Sequence, residues 1–166
     1  MANQDADYIH SILEKIKIKS VMNTDVVKIR EYEELSKAEE LFLSHGIYYL
    51  PVVNQYNQLV GLLSQKYLYK THSPRKINKD QLVHGPDIIV DGNTFYWKET
   101  LDGFLLRNVM LQHPFTLSPE DSIFTAIMEM AKRKIGCIIV IKEDKKICGI
   151  VTESDFIRLA AQILNG

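Results

Sequence analysis

The residues with the clearest chemical potential lie in the segment Gly149-Ile150-Val151-Thr152-Glu153-Ser154-Asp155. An apolar strand is predicted to end at Val151 and a helix to begin at about Thr152, which can cap it. Asp155 follows one turn later on the same side of that helix. A carboxylate there can accept hydrogen bonds from two vicinal hydroxyl groups, and free N–H groups at a helix N-terminus favour a phosphate. The same spacing is that of an ordinary capping box, so a purely structural role stays open.

Motifs of the common enzyme and metal classes do not occur in the sequence. There is no glycine-rich phosphate loop of the G-x-x-x-x-G-K-[ST] type and no G-x-S-x-G nucleophile elbow. The histidines lack the H-x-H and H-x-x-x-H spacings of a zinc site. Cys137 and Cys148 lie in predicted strands, where cysteine is usually a small buried hydrophobic residue. We therefore expect no enzyme, no metal site and no obligatory cofactor.

The composition is that of a globular protein. The chain has 166 residues, of which 46% are hydrophobic and 25% are charged, and its formal net charge is −1. This charge argues against a general nucleic-acid or membrane-surface coat. No apolar run approaches the ~20 residues of a membrane span, and Met1–Asp7 are too polar for a signal peptide. Without a C-x-x-C pair or a leader, the sequence predicts a cytoplasmic protein with free thiols.

The elements around the 149–155 segment are revealed by an internal repeat. When the sequence is shifted by 88 positions, apolar residues coincide over three successive elements without a gap inside either copy. Gly61 and Ser64 then fall on Gly149 and Thr152. One register kept over that length predicts two copies of one structural unit. The copies are expected to pack together, because each is too small to bury its sheet well alone.

Each copy is predicted to run strand, helix, strand, strand, helix. In the second copy the strand Phe115–Leu117 precedes Ser118-Pro119-Glu120-Asp121, which is typical of a helix start with Ser118 as the cap. The apolar runs 47–53 and 135–141 predict strands covered on both faces, each forming a hairpin with the strand after it. The fold class is therefore α/β (α+β). The stripe that the second-copy helix is expected to bury comprises Ile123, Ala126, Ile127, Met130 and Ala131.

Two segments lie outside the repeats. One is an N-terminal amphipathic helix, and the other is a long connector in which Asp91-Gly92 separates two runs of β-formers. That pattern predicts a small inserted β-hairpin. The predicted organisation is an N-terminal helix (1–18), a first repeat (19–71), a connector (72–103) and a second repeat (104–166). The apolar residues of the N-terminal helix are Tyr8, Ile9, Ile12, Leu13 and Ile16.

The repeat order, the strand Leu50-Pro51-Val52-Val53 and the 149–155 segment resemble the CBS domain family. The segment matches the family's Gly-apolar-apolar-Thr/Ser-x-x-Asp ribose motif at every defined position. The resemblance covers about residues 18–164 apart from the connector, and it implies a tandem pair, or Bateman module, with pseudo-twofold symmetry. Such modules commonly form homodimers and bind AMP, ADP, ATP, S-adenosylmethionine or related ligands in clefts between the copies. Thr152, Ser154 and Asp155 are thereby implied to bind a ligand.

The other wall of that site is implied by the resemblance to come from the first copy. The apolar members would enclose a base, and the backbone of Val26 and Val27 could read its edge. Tyr48 and Tyr49 depart from the smaller residues common in the family. They stack on adenine, fill the cleft, or occupy alternate faces of a packed strand. The residues implied for this wall are Met22, Asp25, Val26, Val27, Ile47, Tyr48 and Tyr49.

The equivalent second site is expected to be degenerate. Tyr67 occupies the position where the resemblance requires the ribose aspartate, three residues after Ser64. The opposing wall would include Phe115, Gly136 and Cys137. A ribose there loses its bidentate acceptor, and a polar site that lacks one partner discriminates strongly. We therefore expect at most one high-affinity ribonucleotide site in the chain.

The resemblance implies a regulatory function. The leading hypothesis is a stand-alone module in which an adenosine-containing ligand shifts the orientation of the repeats and changes a dimer or partner surface. The regulated effector would then be another protein. The alternative is a constitutive dimerisation scaffold whose clefts are filled by its own tyrosines. A nucleic-acid adaptor, with Lys15, Lys17 and Lys19 in a basic stripe, is a third reading that the net charge opposes.

Overall fold

The computed structural model describes residues 2–66, 88–91, 94–97 and 106–165. The second repeat follows the predicted order of strand, helix, strand, strand and helix, whereas the final helix predicted for the first repeat lies largely outside the described residues. Short 3-10 turns at Ile18–Ser20 and Leu106–Asn108 precede the first strand of each repeat. In chain order the elements are α1 (Ala2–Lys15), β1 (Ile29–Arg30), α2 (Leu35–His45), β2 (Tyr49–Val53), β3 (Leu59–Ser64), β4 (Ile88–Asp91), β5 (Thr94–Trp97), β6 (Leu111–Gln112), β7 (Thr116–Leu117), α3 (Ile123–Arg133), β8 (Cys137–Ile141), β9 (Ile147–Thr152) and α4 (Glu153–Asn165).

The chain divides into two units that do not follow chain order. Unit 1 comprises Met1–Val26, Tyr56–Leu59 and Pro114–Gly166, and unit 2 comprises Val27–Gln55 and Val60–His113. Each unit therefore joins one repeat to the segment that leads into the other repeat. The residue boundaries predicted from the sequence, by contrast, run in simple chain order.

Unit 2 is built on a sheet with the strand order β1-β2-β3-β6. Strand β1 pairs with β2 in parallel, with Ile29 opposite Val52, and β6 pairs with β3 antiparallel. Helix α2 ends at Gly46, whose φ of +60° is the left-handed conformation that glycine adopts without strain. The buried core of this unit consists of Ile29, Leu35, Ala38, Phe42, Leu50, Val52, Leu63 and Leu106.

Unit 1 is built on the three-stranded sheet β7-β8-β9. Strand β7 is parallel to β8, and β9 is antiparallel to β8 with Cys137 opposite Thr152. Its buried core occupies sequence positions 88 residues away from core positions of unit 2, so Ile18 corresponds to Leu106 and Ala126 to Ala38. The repeat thus specifies equivalent packing in both units. The buried core of unit 1 consists of Ile18, Ala126, Met130, Ile138, Val140 and Val151.

Helix α3 begins later than the sequence predicts. Its cap is Ser122, whose Oγ accepts the N–H of Thr125, and the prediction of Ser118 as the cap was wrong. The carbonyl groups of Pro119 and Asp121 accept the N–H groups of Lys19 and Ile18. They are therefore committed to another segment, and the chain closes a turn at Ser118–Asp121 before the helix starts.

The stripe predicted on that helix is only partly buried. Ile123, Ala126 and Met130 are buried, but Ala131 is exposed. The later start of α3 does not account for the exposure of Ala131, because the face that a helix buries depends on the elements it packs against. Ala131 lies next to Met130 around the helix, toward the solvent face.

The predicted N-terminal helix is present as α1 and belongs to unit 1. The His10 ring stacks on the ring of Phe124, with centroids 4.1 Å apart, so α1 packs on α3. Its apolar face is incompletely covered, since Tyr8 is 69% exposed and Ile9 is 56% exposed. The predicted connector hairpin is confirmed, with β4 antiparallel to β5 and Asp91 opposite Thr94.

In each unit a strand glycine leaves room for a methionine of the segment that leads into the other repeat. These two segments, which carry Met22 and Met110, are called the crossing segments. A Cβ built on Gly149 would lie 2.4 Å from the Sδ of Met22, and one built on Gly61 would lie 2.3 Å from the Sδ of Met110. Real Cβ atoms do not approach another heavy atom so closely. The glycine shared by both repeats therefore serves close packing at these positions.

Candidate functional site

The predicted ligand-binding segment lies where strand β9 passes directly into helix α4. Thr152 is the last residue of the strand, and Glu153 is the first residue of the helix. The N–H of Glu153 donates to the carbonyl of Gly136, the residue just before the neighbouring strand β8, at 3.1 Å. This bond ties the start of the helix to the sheet, so the first turn of α4 has a defined position within unit 1.

The carboxylate of Asp155 is held against this strand end. Its Oδ2 accepts the backbone N–H and the hydroxyl of Thr152, both at 2.7 Å. Its Oδ1 accepts from the guanidinium of Arg158, one turn further along α4. The side chain of Asp155 is only 11% exposed, whereas that of Arg158 is 73% exposed. A negative charge at this end of α4 also complements the helix dipole.

These contacts include the helix-capping role that the sequence left open. The bond from the Thr152 N–H to Asp155 is one half of a capping box. Capping and ligand binding are compatible, because a carboxylate offers about four acceptor positions. Ser154, also predicted to bind a ligand, is exposed in the same turn. The ligand-binding role of all three residues stays a prediction.

The segment that leads into β1 lies beside β9 in unit 1. Asn23 and Ile150 exchange backbone hydrogen bonds of 2.9 and 3.0 Å. The side chain of Asn23 also accepts the N–H of Asp25 at 2.9 Å, which shapes the turn that follows. Met22, Asp25 and Val26 are thereby brought into unit 1 with Asp155. The sequence analysis did not single out Asn23, although its Asn-x-Asp spacing is typical of such a turn.

The remaining residues predicted for that wall belong to unit 2. Val27 and Ile47 are partly buried against the core of unit 2. Tyr48 is 68% exposed, and its carbonyl accepts the N–H of Gln65 at 2.9 Å. This bond is the counterpart of that between Glu153 and Gly136. Tyr49, the first residue of β2, is half-buried. Whether these four residues share a ligand with Asp155 stays a prediction.

The residues of the predicted degenerate site are divided between the two units. Ser64 is buried at the end of β3 in unit 2, and Tyr67 lies outside the described residues. Phe115 packs against the core of unit 1, and the guanidinium of Arg133 lies 4.1 Å from the centroid of its ring. That cation–π contact covers a face of Phe115 which the sequence analysis had treated as available.

Cys137 is buried. The residue is 3% exposed, and burial raises the pKa of its thiol to about 12. Burial also raises the pKa of Cys148, which is half-buried. Both thiols are therefore protonated at neutral pH and poor nucleophiles.

Other features of the described residues do not add a second chemical site. A depression of about 430 Å³ lies at the far end of β8 from Gly136 and is lined by none of the predicted site residues. Within the described ranges, no group of three His, Cys, Asp or Glu side chains is arranged to hold a metal ion. In the same ranges, no helix is both long and apolar enough to span a bilayer. The depression is lined by Thr116, Leu117, Ser118, Pro119, Asp121, Ile141, Lys142 and Glu143.

Comparison with known proteins identifies similar sequences along most of the chain. The family model of the CBS domain matches residues 18–71 and 106–162. A homoserine O-acetyltransferase of Methanococcoides burtonii is 24% identical over 151 residues, covering 91% of this chain and 25% of the relative. The chain spans about a quarter of the length of the first curated relatives it matches. The similarity therefore concerns one part of those enzymes.

Solved structures of CBS domain pairs have the same fold. The pair from protein MJ0100, in complex with 5′-methylthioadenosine and S-adenosyl-L-methionine, matches with a TM-score of 0.68 at 16% identity. The match covers 89% of this chain and 97% of that one. CBSX2 in complex with AMP gives a TM-score of 0.68 at 19% identity, covering 89% and 98%.

Proposed function

The chain belongs to the CBS domain family, and we propose that it is a regulatory module that binds an adenosine-containing ligand. The proposed ligand is an adenine nucleotide (AMP, ADP or ATP) or S-adenosylmethionine. Two proteins of the same fold hold ligands of this class, AMP in one and 5′-methylthioadenosine with S-adenosyl-L-methionine in the other. The family's ribose motif, complete in residues 149–155, supports the same ligand class for this chain.

The observation that carries the proposal is the environment of Asp155. Its carboxylate is oriented by two hydrogen bonds from Thr152 and has acceptor capacity left on Oδ1. In the proposed complex this oxygen accepts from a ribose hydroxyl. Ser154 lies in the same turn and adds a further polar contact. The proposed apolar contacts to the base come from Met22, Val26, Val27 and Ile47, with Asp25, Tyr48 and Tyr49 beside them.

The proposed output is a change in a protein–protein surface, without catalysis. Helix α4 begins at the proposed site and carries exposed apolar residues along the same element. Ile157 is 69% exposed and Leu164 is 85% exposed, seven residues apart and so on one face of the helix. A ligand that stabilises the start of α4 would bias this face toward a second copy of the chain or an effector protein. We propose that the resting assembly is a homodimer.

The proposal predicts a selective effect of Asp155→Ala on ligand binding. Hydrogen bonds to a charged group contribute roughly 1.5–3 kcal/mol, so the dissociation constant should rise about tenfold or more. The measurement is isothermal titration with AMP, ATP and S-adenosylmethionine, with GMP as a base control. Glu153→Gln is the matched control, because it removes a carboxylate from the same helical turn at an exposed position. Tyr67→Ala should have a much smaller effect than Asp155→Ala.

Two results would contradict the proposal in different ways. Equal losses of ligand affinity in Asp155→Ala and Glu153→Gln would mean that the start of α4 favours the ligand only through its net charge, without a specific contact from Asp155. Failure of every adenosine compound to bind the unaltered chain, with dimerisation intact, would favour the constitutive scaffold. The exposed apolar residues of α4 support that second candidate, because they suit a permanent interface as well as a regulated one.

A further inference from the structure

The two oxygens of the Asp155 carboxylate are held by partners of different kinds. Oδ2 is bound by the backbone and hydroxyl of Thr152, which belong to the strand–helix junction itself. Oδ1 is bound by the guanidinium of Arg158, a long side chain that is 73% exposed. The fold therefore fixes one oxygen, while the other is held by a contact that can be exchanged.

A ligand that donates two hydroxyl groups to Asp155 must compete with Arg158. Each carboxylate oxygen has about two acceptor positions, and Thr152 already uses both positions on Oδ2. One position remains on Oδ1 while Arg158 is bound. The second hydroxyl can bind only if the guanidinium leaves. Exposed ion pairs are weak, so the exchange should cost at most about fivefold in affinity.

Arg158 is also the only basic residue of α4. The helix begins with two acidic residues, Glu153 and Asp155, and the sequence of Glu153–Asn165 contains no lysine or histidine. Long helical side chains point back toward the helix N-terminus, as the contact between Arg158 and Asp155 shows. Without the guanidinium this end of the helix would carry two carboxylates, whose charge the helix dipole compensates only in part. It would then repel an anionic ligand.

We infer that Arg158 is a specificity-determining residue, which releases Asp155 to the ligand hydroxyls and pairs with an anionic group of the ligand. The inference rests on the proposed function. Guanidinium groups bind phosphate through two parallel hydrogen bonds, so a phosphorylated ligand replaces the ion pair between Arg158 and Asp155. When a neutral ligand binds, the ion pair is broken and Arg158 gains no anionic partner in its place. Arg158 thus selects phosphorylated over neutral adenosyl compounds.

The test compares AMP with adenosine, which differ only in the phosphate. Isothermal titration is carried out on the unaltered chain and on Arg158→Gln and Arg158→Lys. In Arg158→Gln, adenosine should bind up to about fivefold more tightly, and AMP about tenfold more weakly. The preference for AMP should therefore fall by about tenfold or more. Arg158→Lys keeps the charge but not the planar fork, and should retain part of the preference.

Lys37→Gln is the matched control. Lys37 forms an exposed i,i+3 ion pair with Glu40 on α2, so its loss removes the same kind of contact in unit 2. It should change neither affinity. Equal changes for AMP and adenosine in Arg158→Gln would overturn the role of Arg158 and leave the proposed function standing. If the unaltered chain binds neither AMP nor adenosine, this inference is overturned, whereas the proposed function fails only if ADP, ATP and S-adenosylmethionine also do not bind.

Discussion

At the residue scale, the candidate site consists of ordinary groups in constrained positions. Asp155 is nearly buried and oriented by Thr152, and its carboxylate is paired with the exposed guanidinium of Arg158. The spacing of Thr152 and Asp155 was sufficient to predict that the two side chains meet. The i,i+3 spacing of Asp155 and Arg158 was an equally available signal, which the sequence analysis did not use.

The two cysteines provide a residue-scale prediction about reactivity. Because burial raises the pKa of Cys137 to about 12, its thiol should stay protonated at pH 9, where an ordinary cysteine is half ionised. In a Cys148→Ala variant, native Cys137 should react with iodoacetamide several hundredfold more slowly at pH 9 than after denaturation in urea, because about a thousandth rather than about half of the thiol is ionised. Mass spectrometry of the alkylated chain gives both rates.

The reciprocal variant serves as the control for that experiment. In Cys137→Ala the remaining thiol, Cys148, is half-buried, and its native rate should be closer to the denatured rate. If native Cys137 reacts as fast as denatured Cys137, the thiol is accessible and ionised in the folded chain. Such a result would contradict its burial.

At the scale of elements, the crossing segments decide how each unit is assembled. The 3-10 turn at Ile18–Ser20 donates hydrogen bonds to the turn before α3, and Leu106 and Arg107 donate equivalent bonds to the carbonyls of Glu33 and Glu31. Met22 and Met110 then pack against the glycines of β9 and β3. Each repeat is therefore completed by the segment that leads into the other.

This arrangement predicts a specific rescue pattern for glycine substitutions. In Gly149→Ala the new Cβ would lie within 2.4 Å of the Met22 Sδ, so the free energy of unfolding should fall by about 1 kcal/mol. The loss is at the low end for overpacking, because a thioether can move. Urea denaturation provides the measurement.

In a double-mutant cycle, Gly149→Ala should cost less free energy of unfolding in a Met22→Ala background than in the unaltered chain, whereas Met110→Ala should leave that cost unchanged. The reverse holds for Gly61→Ala, which only Met110→Ala should rescue. Rescue by the methionine of the other unit would show that each leading segment packs on its own repeat. The assignment of the crossing segments would then be wrong.

At the scale of the whole molecule, the proposed regulation requires a surface that binds another protein chain. Unit 1 exposes apolar side chains on several helices, including Tyr8 on α1, Met128 on α3, and Ile157 and Leu164 on α4. Exposed apolar residues on neighbouring elements are typical of interaction surfaces. In the proposed mechanism, ligand binding at the start of α4 is coupled to self-association through this helix.

The proposed homodimer predicts that charge on this face weakens association. The double variant Ile157→Glu/Leu164→Glu should raise the dimer dissociation constant at least about tenfold, because it places two carboxylates in an apolar contact. Sedimentation velocity over a range of concentrations measures this constant. Leu43→Glu is the control, since Leu43 is a 68% exposed residue on α2 of unit 2. Unchanged association in the double variant, or an equal loss in the control, would place the interface elsewhere.

The sequence alone determined the repeat, the class of fold and the segment that carries the candidate site. Hydrophobic periodicity and the 88-residue register reflect which side chains must be buried, and both cores occupy equivalent positions. The Thr152-x-x-Asp155 spacing likewise determines a local contact, because residues three apart on a helix are neighbours. These features depend on interactions that are short in sequence or repeated in it.

Only the tertiary structure decided the start of α3 and the assignment of the leading segments to the units. Ser118 is a good cap by type, but Pro119 and Asp121 give their carbonyls to Lys19 and Ile18, about a hundred residues earlier. The close approach of Met22 to Gly149 likewise joins residues that are far apart in the chain. Such contacts depend on which surfaces meet after folding, and local residue patterns do not encode that choice.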